Sequence, residues 1–590
     1  MRMTSGCAGW CLPILLLLSS GCGRPSADTP AGAGPGTAAV DRTEWFIDVA
    51  KSSGVDFVHF NGMSGALYYP EIMGPGVGLL DFDNDGDLDV YLVQGQMLGT
   101  GKPIADATFA PQGPLRDRLF RNDTVVGADG TPTVRFIEVT DTSGIDIRTY
   151  GMGVAAGDFN NDGWMDIYRT GLNGAVMLRN NGNGTFADVT KQTGTDDGGD
   201  WGVSASFVDY DRDGWLDLFV ANYLIYSLEA DVKCLSVSGQ HDYCPPSSYR
   251  ARPGRLYHNR GNGTFEDVTA RALVGGAYGP GLGVATTDFT GDGWIDLYVA
   301  NDGQPNQLWI NQRNGTFKDT AFVSGSAVNS TGNATASMGV DAADFDNDGD
   351  DDLIVTNWLD QMNTLFVNDG TGNFEDRKAA SGLGLPSLAK TGFGAGWLDF
   401  DNDGSLDLFV ANGSVSTIEA QARAKEPFPL RMTNQLYRNA GSGRFEDVSS
   451  SAGSVFAIAN VGRGVAFGDV DNDGRTDILI GCASGPVKLL MNRVRNGNHW
   501  LGLRLVGRAG RDMLGARAEI VRPGAATLVR RARADGSYAS ANDPRILVGL
   551  GPKSEAPLVR VRWPDGRMEE WPGVAIDRWT TLTQGSGHAQ

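Results

Sequence analysis

Short apolar runs bounded by Gly, Asn or Asp recur between residues 45 and 495, and they follow one order. A glycine-rich run comes first, as in Gly151-Met152-Gly153-Val154 or Gly281-Leu282-Gly283-Val284. An acidic turn follows, then an apolar run such as Leu216-Asp217-Leu218-Phe219-Val220. Next comes a Leu-aromatic-x-Asn run, here Leu256-Tyr257-His258-Asn259, a turn at Gly261-Asn262-Gly263, and Phe265-Glu266-Asp267-Val268. Apolar segments this short, separated by turn residues, predict four strands of one antiparallel sheet. A unit that repeats this way and cannot bury its faces alone predicts radial stacking into an all-β propeller. The glycine pairs do not indicate a nucleotide site, because no crossover helix follows and they recur in every unit.

The number of blades can be counted. Fourth-strand signatures stand at Phe136, Phe186, Phe265, Phe317, Phe374 and Phe445, and another, Phe46-Ile47-Asp48-Val49, precedes the first acidic turn. The last unit ends at Leu490-Met491-Asn492 without a fourth strand of its own. The expectation is a seven-bladed β-propeller over residues 45–495, closed by the N-terminal strand, with a small antiparallel β-domain over 498–575 and a tail over 576–590. Within 498–575 the alternation Leu501-Gly502-Leu503-Arg504-Leu505 and Val559-Arg560-Val561-Arg562-Trp563 reads as strand.

The acidic turn carries the chemistry. Asp-x-Asp-x-Asp-Gly-x-x-Asp occurs seven times, and its positions 1, 3, 5 and 9 are the candidate metal ligands. They are Asp81, Asp83, Asp85 and Asp89; Asp158, Asn160, Asp162 and Asp166; and Asp209, Asp211, Asp213 and Asp217. Next come Asp288, Thr290, Asp292 and Asp296, followed by Asp344, Asp346, Asp348 and Asp352. The last two copies hold Asp399, Asp401, Asp403 and Asp407, then Asp469, Asp471, Asp473 and Asp477. Alternating oxygens on a loop whose sixth residue is Gly can wrap a hard cation, and calcium accepts six to eight such ligands where magnesium demands a tight octahedron. Position 12 is apolar (Leu92, Val220, Val355) and the flanks are strands, which excludes an EF-hand.

Composition agrees. The chain has 71 Asp+Glu against 49 Lys+Arg and a formal charge of −22, which argues against nucleic acid as a partner. Filling up to seven sites with Ca2+ would bring that charge to about −8. The five histidines, His59, His241, His258, His499 and His588, have no metal-ligand spacing. Arg2, the apolar run Leu12–Leu18 and Ser19-Ser20-Gly21-Cys22 predict an export signal of lipoprotein type over residues 1–22, with Cys22 the acylated residue. Residues 23–44 read as a flexible tether, so any membrane contact is through a lipid anchor only. In an oxidising compartment Cys234 and Cys244, which share one polar insertion, are a plausible local disulfide, whereas Cys482 reads as a buried small hydrophobe.

Connectivity sorts the two faces. The acidic turn and the Asn-Gly turn lie on one face, and the long insertions 56–73, 95–118, 222–254 and 412–433 lie on the other. Long loops on a rigid scaffold carry binding function, so a protein or glycan ligand is expected there. Trp164, Trp215 and Trp294, on the acidic side, are expected to pack between blades. The alternative is a secreted or periplasmic enzyme acting on a polysaccharide or other polymer, with Glu71, Asp242 and Glu419 available in those loops, although no catalytic motif is found.

These repeats resemble the FG-GAP/VCBS repeats of integrin α-subunit propellers. The opening Phe46-Ile47-Asp48-Val49 with Pro70-Glu71-Ile72-Met73-Gly74-Pro75-Gly76 is similar to bacterial relatives of cartilage acidic protein. Asn498-His499-Trp500-Leu501, Gly515-Ala516-Arg517, Gly536-Ser537-Tyr538, Asn542-Asp543-Pro544-Arg545, Gly549-Leu550-Gly551 and Val561-Arg562-Trp563-Pro564-Asp565-Gly566 resemble an ASPIC/UnbV domain. The resemblance implies a calcium-binding, exported surface protein of adhesive type and supplies no catalytic residue. Arg530, Arg531 and Arg533 are expected to meet either an anionic partner or the acidic propeller.

Overall fold

A computed structural model describes residues 44–128, 130–236, 239–275 and 278–589. The expected signal segment, Cys22 and almost all of the tether lie outside the described residues.

Each acidic turn joins the first two strands of a four-stranded antiparallel sheet. Blade 2 shows the pattern: Gly151–Gly157, Asp166–Gly171, Val176–Asn180 and Phe186–Asp188, ordered from the centre outward. The first strands Val77–Leu80, Gly151–Gly157, Gly202–Val208, Gly281–Thr287, Val340–Ala343, Gly392–Leu398 and Gly462–Gly468 pack side by side around a closed ring. Closure follows the sequence expectation. Phe46–Asp48 pairs antiparallel with Lys488–Asn492, Phe46 opposite Asn492, and supplies the outer strand of blade 7.

The Leu-aromatic-x-Asn signature has a physical reason. At the end of every third strand the Asn amide crosses to the neighbouring blade and donates to the backbone carbonyl of position 2 of its acidic loop. Asn180 Nδ2 reaches Phe82 O at 2.7 Å, Asn259 reaches Phe159 O at 2.8 Å, and Asn311 reaches Tyr210 O at 2.8 Å. Asn368, Asn439 and Asn492 bind the carbonyls of Phe289, Phe345 and Phe400, and Asn122 closes the circle on Val470 O at 2.9 Å. A buried amide bond contributes about 1 kcal/mol net, but an orphaned buried carbonyl costs more.

Residues 499–589 form a second lobe of two sheets, one holding Ile546–Gly551, His499–Val506 and Trp579–Thr583, the other five-stranded. Two expectations are corrected here. Trp579–Thr583 and His588–Ala589, expected in a tail, are strands, because Leu582 packs into the lobe core with Leu505 and Val574. The lobe is also not purely antiparallel, since His499–Val506 pairs in parallel with Trp579–Thr583.

The lobe sits on the acidic-loop face and sends residues 535–543 into the central channel. The Tyr538 hydroxyl donates to Met73 O at 2.9 Å, and its ring meets Phe393 edge-on at 5.0 Å. The backbone of this plug bonds the first strands directly, with Val154 N to Ala539 O at 3.1 Å and Val340 N to Ser537 O at 2.9 Å. This explains the glycines of the inner strands. A Cβ on Gly76 would stand 1.8 Å from Ala539 O, and one on Gly153 would stand 2.9 Å from the same oxygen and 2.3 Å from Val203 O of the next blade.

Candidate metal centres

Each acidic loop is held open by its own backbone. In every loop but the third the position-1 carboxylate accepts the N–H of position 5, and most also accept that of position 6, as Asp158 does from Asp162 (3.2 Å) and Gly163 (2.7 Å). Position 5 accepts from the N–H of position 7 in all seven loops, for example Trp164 N to Asp162 Oδ1 at 3.0 Å. Position 9 is fixed between two strands. Asp166 accepts from Asn180 N at 2.7 Å and from Phe159 N at 3.1 Å. The loops are also tied to one another through position 4. Asn84, Asn161, Asn347, Asn402 and Asn472 each donate to the carbonyl of the glycine at position 6 of the next loop, and Arg212 does so in the third. Gly291 leaves the fourth loop without such a side chain.

The electrostatics suit a cation. Burial pushes Asp158 up to about 6, Asp209, Asp217, Asp344, Asp399 and Asp469 up to about 7, and Asp352 up to about 9. Neighbouring carboxylates add to the effect. Removing a carboxylate from water without a partner is the reason for such shifts, and a divalent ion among them reverses the sign. Asp83 Oδ1, Asp209 Oδ1, Asp344 Oδ2, Asp352 Oδ2 and Asp471 Oδ1 are buried with no hydrogen-bond partner. Orphaned buried oxygens are what a hard cation can satisfy, and in several loops three of the carboxylates offer oxygens within 4.8 Å of one another. The residues present therefore fit calcium at positions 1, 3, 5 and 9 with the position-7 carbonyl.

The loops are not alike. In the seventh, Arg475 at position 7 pairs with Asp473 and donates from Nε to Asn492 O at 3.0 Å. In the fourth, Arg313 forks onto Asp292 at 2.6 and 3.1 Å. In the third, His258 approaches Asp217 and Asp211. The histidine spacing along the chain does not show this contact. The signal was its place immediately before the Asn of a third strand, where the side chain faces the loop. Trp294 stacks on Arg212 of the preceding blade at 4.3 Å from the ring centroid, as expected of an interblade residue.

The second lobe covers this face with arginines aimed at the seams between loops. Arg545 donates to Gly86 O (3.1 Å), Asn472 Oδ1 (2.9 Å) and Asp469 O (3.1 Å) and stacks on Trp579. Arg511 holds Asn161 Oδ1 and Gly214 O, both at 2.8 Å, and Arg530 holds Asn347 Oδ1 and Gly404 O, both at 3.2 Å. Arg531 and Arg533 pair with the buried Asp351 and Asp341. The arginine cluster thus meets the acidic propeller.

On the opposite face the insertions interlock. Tyr69, Tyr223, Tyr243, Leu98, Phe428 and Leu430 share one buried cluster. Tyr243 donates to Glu71 Oε2 at 2.9 Å, Thr417 donates to Asp242 at 3.1 Å, and Glu419 pairs with Arg423. The three acids considered for catalysis are each engaged in such contacts. Cys234 and Cys244 form a disulfide beside Tyr243, and Cys482 is buried. No helix among the described residues is long and apolar enough to cross a membrane.

The FG-GAP-like repeat family matches residues 158–220, 247–299, 288–355, 344–410 and 428–480, and the ASPIC and UnbV family matches 507–589. The chain is similar to cartilage acidic protein 1 of Mus musculus, 26% identical over 85% of this chain and 72% of that one. Its likeness to the Homo sapiens protein of the same name is 24% over 89% of this chain and 75% of that one. Among solved structures it is similar to the BBS1N chain of a complex with ARL6DN, at 10% identity and TM-score 0.38 over 74% of this chain and 97% of that one.

Proposed function

The chain is a propeller of FG-GAP-like repeats capped by an ASPIC and UnbV domain, and from that premise we propose that it is an exported, non-catalytic, ligand-binding protein whose propeller is stabilised by calcium. The carrying observation is the set of seven self-supported acidic loops, four of which hold a buried carboxylate oxygen with no partner. Up to seven Ca2+ ions would be held at the ligand positions named above, and each would neutralise carboxylates that burial otherwise penalises. The rigid ring then presents the interlocked insertion face, with its exposed Ile104, Ile225 and Leu235, to a protein or glycan partner. Export follows from the N-terminal pattern and suits the Cys234–Cys244 disulfide. Attachment to a membrane would be through a lipid on Cys22.

The test is a glycan and envelope-protein binding array run on one purified sample in calcium and in EGTA, alongside a polymer-hydrolysis screen. Calcium-dependent binding without turnover supports the proposal. Hydrolysis that survives purification and maps to the insertion loops would overturn the non-catalytic part.

A further inference from the structure

The third loop differs from its six counterparts in two independent ways, and both concern what it can bind. In the other six, Oδ1 of the position-1 Asp accepts the position-5 N–H at 3.0–3.2 Å. In the third, Asp213 N turns to Asp211 Oδ1 at 3.3 Å instead, and Asp209 Oδ1 is left buried with no partner. Asp209 is only 5% exposed, and its carboxylate lies within 4.8 Å of the donor oxygens of Asp211 and Asp213. The second difference is a nitrogen. The third-strand residue beside the loop is Arg121, Arg179, Ile310, Val367, Arg438 or Met491 in the other blades and His258 in this one. His258 Nδ1 stands 3.1 Å from Asp217 Oδ1 and 3.4 Å from Asp211 Oδ2, and the three donors form a second cluster within 4.8 Å. Asp211 belongs to both clusters, so the two adjoin. A cavity of about 250 Å³, lined by Tyr210, Asp211, His258, Arg271, Asn314 and Thr316 among others, opens beside Asp211 and His258.

Calcium prefers a shell made wholly of oxygen, whereas first-row transition ions gain from an imidazole nitrogen. Four carboxylates, one backbone carbonyl and one imidazole suit a six-coordinate divalent ion of that row, and the carboxylate excess favours its hard end. We propose that the third loop is a transition-metal site, with His258 as ligand beside Asp209, Asp211, Asp213 and Asp217, set in a ring of calcium loops. This rests on the reading that the loops are cation sites.

Manganese is the probe. The full chain is dialysed against about 1 mM calcium, a concentration in the working range of extracellular calcium modules, with low micromolar Mn2+. Both metals are then counted by mass spectrometry, and the bound Mn2+ is examined by pulsed electron paramagnetic resonance for coupling to nitrogen. The expected result is one retained Mn2+ with directly coordinated imidazole. In His258→Ala its affinity falls by about tenfold or more, the scale of losing even an outer-shell partner, while the calcium content is unchanged. Asp209→Asn weakens Mn2+ in the same way. Calcium loading without Mn2+ retention, or Mn2+ retained equally by His258→Ala with no nitrogen coupling, overturns this inference alone. Retention of neither metal overturns the reading beneath it.

Discussion

Replacing Asn180 by alanine removes three hydrogen bonds at one stroke, one of them a link of the interblade ring. Its amide donates to Phe82 O at 2.7 Å and to Met165 O at 3.2 Å, and its carbonyl accepts from Gly182 N at 3.0 Å. The side chain is 1% exposed, so water cannot replace these partners without opening the seam. Each buried backbone group left unpaired costs about 1–3 kcal/mol, and partial relaxation brings the sum to about 3–5 kcal/mol. Unfolding entropy of about 2.1 cal/mol/K per residue, taken over roughly 550 residues of the unit Glu44–Gln590, converts this to a fall in Tm of about 3–4 °C. Calorimetry in saturating calcium measures it, and the same change at Asn439, which makes the same contacts, should match. A shift below about 1 °C at both positions would mean that these amides do not join the blades, whatever their geometry.

Other outcomes follow from the same structure. Asp352→Asn should stabilise the protein in EGTA at pH 7 and destabilise it in calcium. Burial raises the folded carboxyl to about 9 from 3.8, so protonating it costs on the order of 4 kcal/mol at that pH, while calcium needs the charge. A denaturation pair that keeps one sign in both buffers would contradict this. Glu71→Gln probes pH. The folded carboxyl is raised to about 7 from 4.5, so the wild type matches the variant below pH 4.5 and loses stability relative to it as pH climbs through 7, levelling at about 3 kcal/mol. Urea unfolding across that window reads the gap. Arg545→Met removes the guanidinium that pairs with Asp543 and donates to three loop acceptors at the seam between the first and seventh loops. A loss of about 3–5 kcal/mol is expected, with faster proteolytic release of the lobe; unchanged resistance would show that the arginine does not hold it.

Much of the ring was legible in the chain because its causes are local. Glycine, the alternating aspartates, the third-strand Asn and the fourth-strand Phe each recur at fixed spacing, so the count of seven and the need for an N-terminal closing strand could be read directly. The lobe was legible as strands but not as a cap. Tyr538 and Arg545 have no local period that reveals a channel or a loop seam, and their contacts come from residues hundreds of positions away. Trp579–Thr583 escaped because a parallel strand pair joins distant segments and leaves no hairpin signal. His258 shows no ligand spacing along the chain, because it is the strand pairing of Arg255–Asn259 with Asp217–Asn222 that brings it beside the loop.

The central claim is that divalent metal neutralises these loops, and counting calcium on the dialysed chain while melting the same sample with and without EGTA tests it most directly. At calcium tenfold above Kd each filled loop contributes about 1.4 kcal/mol, so six or seven sum to about 8–10 kcal/mol, or a fall of roughly 7–9 °C on chelation. Six or seven bound ions with a drop of that size is the predicted result; one ion or none, with the melt unmoved by EGTA, would contradict the account.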